Sequence, residues 1–421
     1  MKEQLNKKIV LTCFLASFLE IYDFVIFGFF APVLHKNYLI FLDQSTATLA
    51  SYALFAVGFI FRPLGSLIFG YIGDVYGRKI SLVISVSIMG TASLIMFILP
   101  SYNTIGILSC YIIIFIRILQ GISVGGEFTG ALVFAVEHCK KNVGFVAGII
   151  TAGGACGALL ANFVCKILQH SALPDYSWRF AFLVGFGLSI VGFFIRRRLT
   201  DTPVFQRDSN SKIPLLEGFK HYKTESFATF CVSAANGTTF YFGSVFLGVF
   251  IKNNKPEIEV AFISTLVSIT VAVFVPIFGF ISDFIDRKKF LMISSLVMGG
   301  YSLIALNAIL KTDSIVILAI LVFLYAFFAA MMIGSINIFA IEIFPVKQRM
   351  SCSSLFYSLG MGVIGGTVPI VSSYIIQYFG MSSYLMSIYI AAICFMSFLG
   401  TFLVYKKQQN NLLSDNTINQ N

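Results

Sequence analysis

Five ionisable residues stand inside stretches of sequence that are otherwise apolar: Glu20, Asp23, Arg62, Arg117 and Glu127. A charge at the centre of a membrane helix costs about 2.5–3.5 kcal/mol on insertion scales, so each needs a reason to be there. Arginine grips a carboxylate through a two-pronged fork, and a carboxylate in a partly dry site is suited to binding and releasing a proton. Glu20 falls about ten residues into its stretch, roughly 15 Å along a helix, and Asp23 follows on a neighbouring part of the same face. Together with Arg117 they read as a proton-linked site for an anionic group at mid-membrane. Arg62, next to Pro63 and several glycines, reads equally as a bending and packing site. Glu127, beside Gly125 and Gly126, suits gating or structure. The plainer reading of all five is that they pair with one another to fix helix packing.

The neutral candidates lie in the second half of the chain. Asn236, Thr239 and Tyr241 share one apolar stretch, and Asn337 and Tyr357 fall in two later ones. Such residues serve more often as interhelical hydrogen-bond partners than as ligands. Tyr22, Phe24, Phe27 and Tyr241 offer aromatic faces that would suit a quaternary ammonium. His35, His138, His170 and His221 all fall between apolar stretches, so a proton carrier would have to be a carboxylate.

The elements that position these residues are membrane spans. Hydrophobic residues make up 57% of the 421, charged residues 11%, and the mean hydropathy is +0.88; one soluble core could not bury so much apolar surface. A helix of about 20 residues crosses the hydrocarbon. Spans are expected near 9–34, 46–72, 80–100, 105–132, 143–167 and 178–195, then near 226–251, 260–282, 289–310, 314–340, 351–378 and 383–405. The first is too long and too charged for a cleaved signal peptide. The net charge of +10 follows topology, not nucleic acid. With both termini on one side, the opposite side holds only Lys36, Lys166, Arg179, Lys252, Lys255 and Lys311. Apart from Arg62 and Arg117, every other Lys and Arg falls on the termini side, which places both termini in the cytoplasm. The eight cysteines form no metal-ligand spacing and read as apolar packing.

The chain repeats itself. Gly70-Tyr71-Ile72-Gly73-Asp74 and the Arg78-Lys79 that follows return as Gly279-Phe280-Ile281-Ser282-Asp283 with Arg287-Lys288, 209 positions later. Ala135-Val136-Glu137 returns as Ala340-Ile341-Glu342, 205 positions later. Two offsets that nearly agree indicate two six-helix halves, 1–195 and 225–405, joined by a polar linker 196–224 and followed by a tail 406–421. The fold class is therefore all-α membrane protein, two pseudo-symmetric six-helix bundles.

The loop pattern Gly70, Asp74, Gly77, Arg78, Lys79 and the Arg117-x-x-Gln120-Gly121 run resemble those of major facilitator superfamily transporters. Glu20-x-Tyr22-Asp23-Phe24, Phe61-Arg62-Pro63-Leu64-Gly65 and Gln120-Gly121-x-x-x-Gly125-Gly126-Glu127 resemble the metabolite:proton symporters, proline/betaine transporters among them. Trp178-Arg179, Asp201-Thr202-Pro203-x-Phe205, Glu342-x-Phe344-Pro345 and Tyr357 with Gly365-Gly366-x-x-Pro369 extend the match across most of the chain. Asp286 departs from the glycine usual at its place, and Asn142-Val143-Gly144 from the usual arginine-glycine pair. The resemblance implies proton-coupled uptake of a small carboxylate-bearing solute by alternating access, with proline or glycine betaine first and a dicarboxylate, citrate or shikimate-type acid second; a facilitator independent of protons is the other alternative. Coupling and substrate residues would be Glu20, Tyr22, Asp23, Arg62, Arg117, Gln120, Glu127, Asn236, Tyr241 and Tyr357. The gate would hold Asp74, Arg78, Glu137, Asp283, Arg287, Glu342 and Arg349, the two arginines of the loop motif pairing with acids of the opposite half. The partners would be solute, protons and lipid, with no cofactor and no nucleic acid, for a monomer in the inner membrane. Neither an enzyme nor an ATP-driven pump is indicated: no nucleophile–base pair, metal set or Gly-x-x-x-x-Gly-Lys-Ser/Thr loop occurs.

Overall fold

A computed structural model describes residues 7–139, 141–169, 173–202, 220–248, 251, 260–379 and 384–418. Pro203, Phe205, His170 and most of the linker lie outside them. Twelve spans were expected, and we number them α1 to α12. The first half holds α1 (Lys7–Phe29), α2 (Gln44–Ile60 and Arg62–Val75), α3 (Arg78–Ile98), α4 (Leu108–His138), α5 (Val143–Leu168) and α6 (Arg179–Arg197). The second holds α7 (Lys223–Tyr241, continued by a π-turn Phe242–Phe246), α8 (Val260–Ile281), α9 (Arg287–Lys311) and α10 (Ile315–Glu342). It ends with α11 (Arg349–Ser358, a π-turn Leu359–Gly365, then Val368–Phe379) and α12 (Tyr384–Ile418).

Among the described residues eleven helices are long and apolar enough to cross a membrane. The remaining one is α7, whose Ser, Thr, Asn and Gly content lowers its hydropathy. Its polar residues face inward: Ser233, Asn236, Thr238 and Thr239 are all buried. Two helices break where the sequence dictates. In α2 Pro63 cannot donate to the preceding turn, so the helix restarts at Arg62. In α11 the glycine-rich run Leu359–Gly365 widens into a π-turn.

Packing repeats with the sequence. α1–α5, α2–α4, α3–α4 and α3–α6 pack in the first half, and α7–α11, α8–α10, α9–α10 and α9–α12 repeat them in the second. The halves meet along α5–α8 and α2–α11, two seams that the same pseudo-symmetry exchanges. Glycines set both distances. A Cβ on Gly144 would lie 2.4 Å from the Gly279 carbonyl oxygen, and one on Gly148 would lie 2.6 Å from Pro276 Cα. On the other seam a Cβ on Gly70 would lie 2.8 Å from Ser351 Cα. Close approach of backbones is how membrane helices pack when burial supplies no drive.

Candidate functional site

At the centre, α1, α2, α4 and α5 of one half and α7, α8, α10 and α11 of the other enclose a cavity of about 50 Å³. That volume holds a few water molecules. Its charged wall is an ion pair: Arg62 Nη2 lies 3.2 Å from Glu20 Oε1, the two side chains 5% and 1% exposed. Arg62 also donates from Nη1 to the Tyr241 hydroxyl of α7 at 3.1 Å, so one guanidinium joins an acid of its own half to a phenol of the other. Phe24 and Phe59 lie against it, 5.2 and 5.4 Å from ring centroid to Cζ. Facing this wall, Asn236 Nδ2 donates to Tyr357 Oη at 2.8 Å and Asn337 Oδ1 at 3.1 Å. Asn337 Nδ2 in turn donates to Thr151 Oγ1 of the first half at 2.7 Å. Phe128, Phe240 and Tyr357 supply the aromatic lining.

The expected trio of Glu20, Asp23 and Arg117 does not assemble as one cluster. Asp23 turns from the cavity toward α3 and α6, accepting from Ser93 Oγ at 2.8 Å, with Oδ1 2.0 Å from where a Cβ on Gly185 would stand. Arg117 lies between the faces of Phe24 and Phe27, at 4.6 and 4.3 Å, and donates to Gln120 Oε1 and the Leu54 carbonyl. The arginine on the cavity wall is Arg62. Tyr22 also points away, its hydroxyl donating to the Ala181 carbonyl at 2.8 Å inside the first half. Glu127 is paired with a residue that sequence reasoning had counted as a loop charge: Arg196 Nη2 lies 2.6 Å from Glu127 Oε1, both 1% exposed. Thr239 spends its hydroxyl on the Ala235 carbonyl of its own helix.

At the end of the bundle that carries the basic loops, the two repeats build the same latch. Asp74, in the last turn of α2, accepts from the backbone N–H of Met350 and Ser351 at the N-terminus of α11. Asp283, just past α8, accepts from Gly144 and Phe145 at the N-terminus of α5, at 2.8 and 3.0 Å. A carboxylate at a helix N-terminus meets both unsatisfied donors and the positive end of the dipole. The arginines differ from expectation in their partners. Arg78 pairs with Asp74 at 3.0 Å and Glu137 at 3.3 Å, and Arg287 with Asp283 and Glu342, all acids of the same half. The spacing of i and i+4 already favours the Asp–Arg pair within one turn. The halves are bridged instead by Glu137–Arg349 at 3.4 Å and by Arg78 donating to the Val346 carbonyl at 3.0 Å.

The departures from the loop pattern have a reason. Asp286 caps α9, its carboxylate accepting from Lys288 N and Lys289 N. At the matching place in the first half stands Gly77, φ +115°, and the acid comes from the far end of α6: Asp201 Oδ1 accepts from Arg78 N at 3.1 Å. A residue at 77 with a side chain would strike Asp201 Oδ2. Thr202 then donates to Glu137 at 2.8 Å. Asn142 takes a left-handed φ of +53° before α5, a conformation asparagine tolerates.

Residues 9–214 match the model of a family described as sugar (and other) transporters, and residues 254–416 match that of the major facilitator superfamily. An Escherichia coli (strain K12) proline/betaine transporter is 27% identical over 397 residues, covering 88% of this chain and 78% of that protein. An inner membrane metabolite transport protein of the same organism is 27% identical over 427 residues, covering 97% of this chain and 96% of its own. Among solved structures, a proton:xylose symporter bound to 6-bromo-6-deoxy-D-glucose superposes with a TM-score of 0.71 at 18% identity, covering 95% of each chain. With a transporter-family model matching residues 9–214, the superfamily model matching 254–416, relatives along its length and a shared fold, this multi-pass membrane protein belongs to the major facilitator superfamily of transporters.

Proposed function

We propose that the protein imports a small solute with one carboxylate, of the proline or glycine betaine kind, in symport with protons. It works as a monomer in the inner membrane with both termini cytoplasmic, driven by the proton gradient and needing no cofactor. The observation that carries this reading is Arg62, placed on the cavity wall between Glu20 and Tyr241. A solute carboxylate and Glu20 compete for one guanidinium. When Glu20 takes a proton its hold on Arg62 weakens, and the fork turns to the solute; when the solute leaves, Glu20 gives the proton up and re-pairs. Solute and proton therefore bind together. The ammonium end of a zwitterion would rest against Phe128, Phe240 and Tyr357. Both seams are shut at the basic end, which is the cytoplasmic end by the excess of Lys and Arg; transport opens them as the halves rock about the cavity.

The test is radiolabelled uptake into proteoliposomes of proline, glycine betaine, 2-oxoglutarate, citrate and shikimate, each with and without an inward proton gradient. Accumulation of proline or betaine that depends on the gradient is expected. Equilibration indifferent to the gradient would overturn proton coupling, and accumulation of a di- or tricarboxylate alone would overturn the solute class. Glu20→Gln should abolish uphill uptake while solute exchange persists.

A further inference from the structure

The most unusual charge in the molecule is Arg196. It stands in the last turn of α6, followed by the exposed Arg197 and Arg198. An arginine at the end of a membrane helix ordinarily extends its side chain to the headgroups and water. This one turns back into the first half and is 1% exposed. Its guanidinium holds Glu127 at 2.6 Å and donates to the Leu82 carbonyl of α3 at 2.8 Å. Removing two charges from water is costly, and replacing such a buried pair by apolar residues of similar volume is often neutral or stabilising. The pair is also incomplete. Glu127 Oε2 is buried and meets no donor among the described residues, and the same is true of Glu20 Oε2 and of Ser17 Oγ one turn below Glu20.

Ser17, Glu20 and Gly125 line the central cavity, and Glu127 is two residues beyond Gly125 on α4. The titratable groups around Glu127 are Arg196 from α6 and, from α1, Glu20 and Asp23. Cys13 of α1 lies near Arg196. From α2 comes the ring of Phe69 against Gly126, and from α3 the Leu82 carbonyl.

We infer that Glu127, held by Arg196, is a second proton site that takes the proton from Glu20 and passes it to the basic end of the molecule. The proton leaves the Glu20 carboxyl, which re-forms its pair with Arg62, and is carried by water to Glu127 Oε2. Arg196 keeps Glu127 Oε1 and its own charge, and the proton leaves Glu127 for water at the α6 terminus. One proton moves, no bond to carbon changes, and no oxidant or reductant is needed. The inference rests on the proton-coupled reading above.

Two measurements test it. The variant Glu127→Gln with Arg196→Gln is electrically neutral, so a pair that serves packing alone should be dispensable in it. For a relay, gradient-driven accumulation by this variant falls by about tenfold or more relative to its own solute exchange, since a positioned acid–base group contributes about 100-fold or more to proton transfer. Full accumulation in the variant would overturn the inference. The second measurement needs no variant: a hydrophobic carbodiimide reacts with protonated carboxyls in membrane proteins. Mass spectrometry should find Glu127 modified in the natural protein. Modification of Glu20 with none at Glu127 would mean a fixed ion pair and sink the relay. Should the natural protein show no gradient-driven uptake, the symport reading itself fails, an outcome separate from either of these.

Discussion

Arg62 carries the argument at the scale of a single residue, and its neighbours say which substitution is informative. Its fork has one prong on Glu20 and one on Tyr241, with Phe24 and Phe59 against its plane. Lysine keeps the charge but neither the fork nor the stacking. Arg62→Lys should therefore raise the KM for the solute by about tenfold or more, the loss of one hydrogen bond to a charged group being about 1.5–3 kcal/mol. Tyr241→Phe removes only the bond between the halves and should cost less. A KM unchanged in both would separate the solute from this wall. How far such placements can be read from sequence depends on helical phase. Tyr22 is two residues from Glu20, about 200° around the helix, so a reading by face would have turned it away from the cavity, where the structure has it. Arg196 was legible in the same way: buried Gly185, Ser189 and Gly192 precede it at spacings of four, three and four. Counting it with Arg197 and Arg198 obscured that. The cross-half bond from Arg62 to Tyr241 carried no such signal, because partners 179 positions apart leave no period in one sequence.

Elements matched by sequence are unequal in their surroundings. The Asp74 latch is enclosed: the side chains of Arg78, Asp74 and Glu137 are at most 2% exposed, and Asp201 and Thr202 brace them. In the Asp283 latch the side chains of Arg287, Asp283 and Glu342 are 17%, 7% and 37% exposed. Breaking a buried pair on one side costs about 3–5 kcal/mol, and an exposed pair contributes about 0.2–1 kcal/mol. Asp74→Asn should thus lower the thermal stability of the detergent-purified protein clearly more than Asp283→Asn. Among the latch pairs, Arg287–Glu342 is the one that should weaken as salt rises from low to physiological concentration. Equal effects of the two substitutions would mean that backbone capping, common to both, outweighs the ion pairs. The near-repeat of 209 positions announced that the latches exist. It did not announce their difference, because the brace on the first comes from beyond α6 and has no counterpart in the loop motif itself.

For the whole molecule, the symmetry of the packing makes a mechanical claim. Each half repeats the other's internal pairings, and the two meet along the seams α2–α11 and α5–α8, where the proposed rocking would part them. The all-helical membrane fold was legible because apolar length is a property of sequence alone. The closed state of the basic end was not, since it depends on glycines meeting backbones of the opposite half. One such contact gives a direct test. An ideal Cβ at Gly73 of α2 falls 3.2 Å from Met350 Cγ of α11, and a disulfide needs Cβ atoms about 3.5–4.5 Å apart. In a background with the eight native cysteines replaced, Gly73→Cys with Met350→Cys, where the loss of the methionine side chain makes the room, should cross-link under mild oxidation. If the halves must part here in every cycle, the oxidised protein neither accumulates nor exchanges solute, while reductant restores both. Solute together with an imposed proton gradient should slow the cross-linking of the reduced protein, because cycling molecules spend time with the seam open. Full transport by the cross-linked protein would show that this seam stays shut throughout the cycle, and rocking would have to be replaced by a motion confined to α5 and α8.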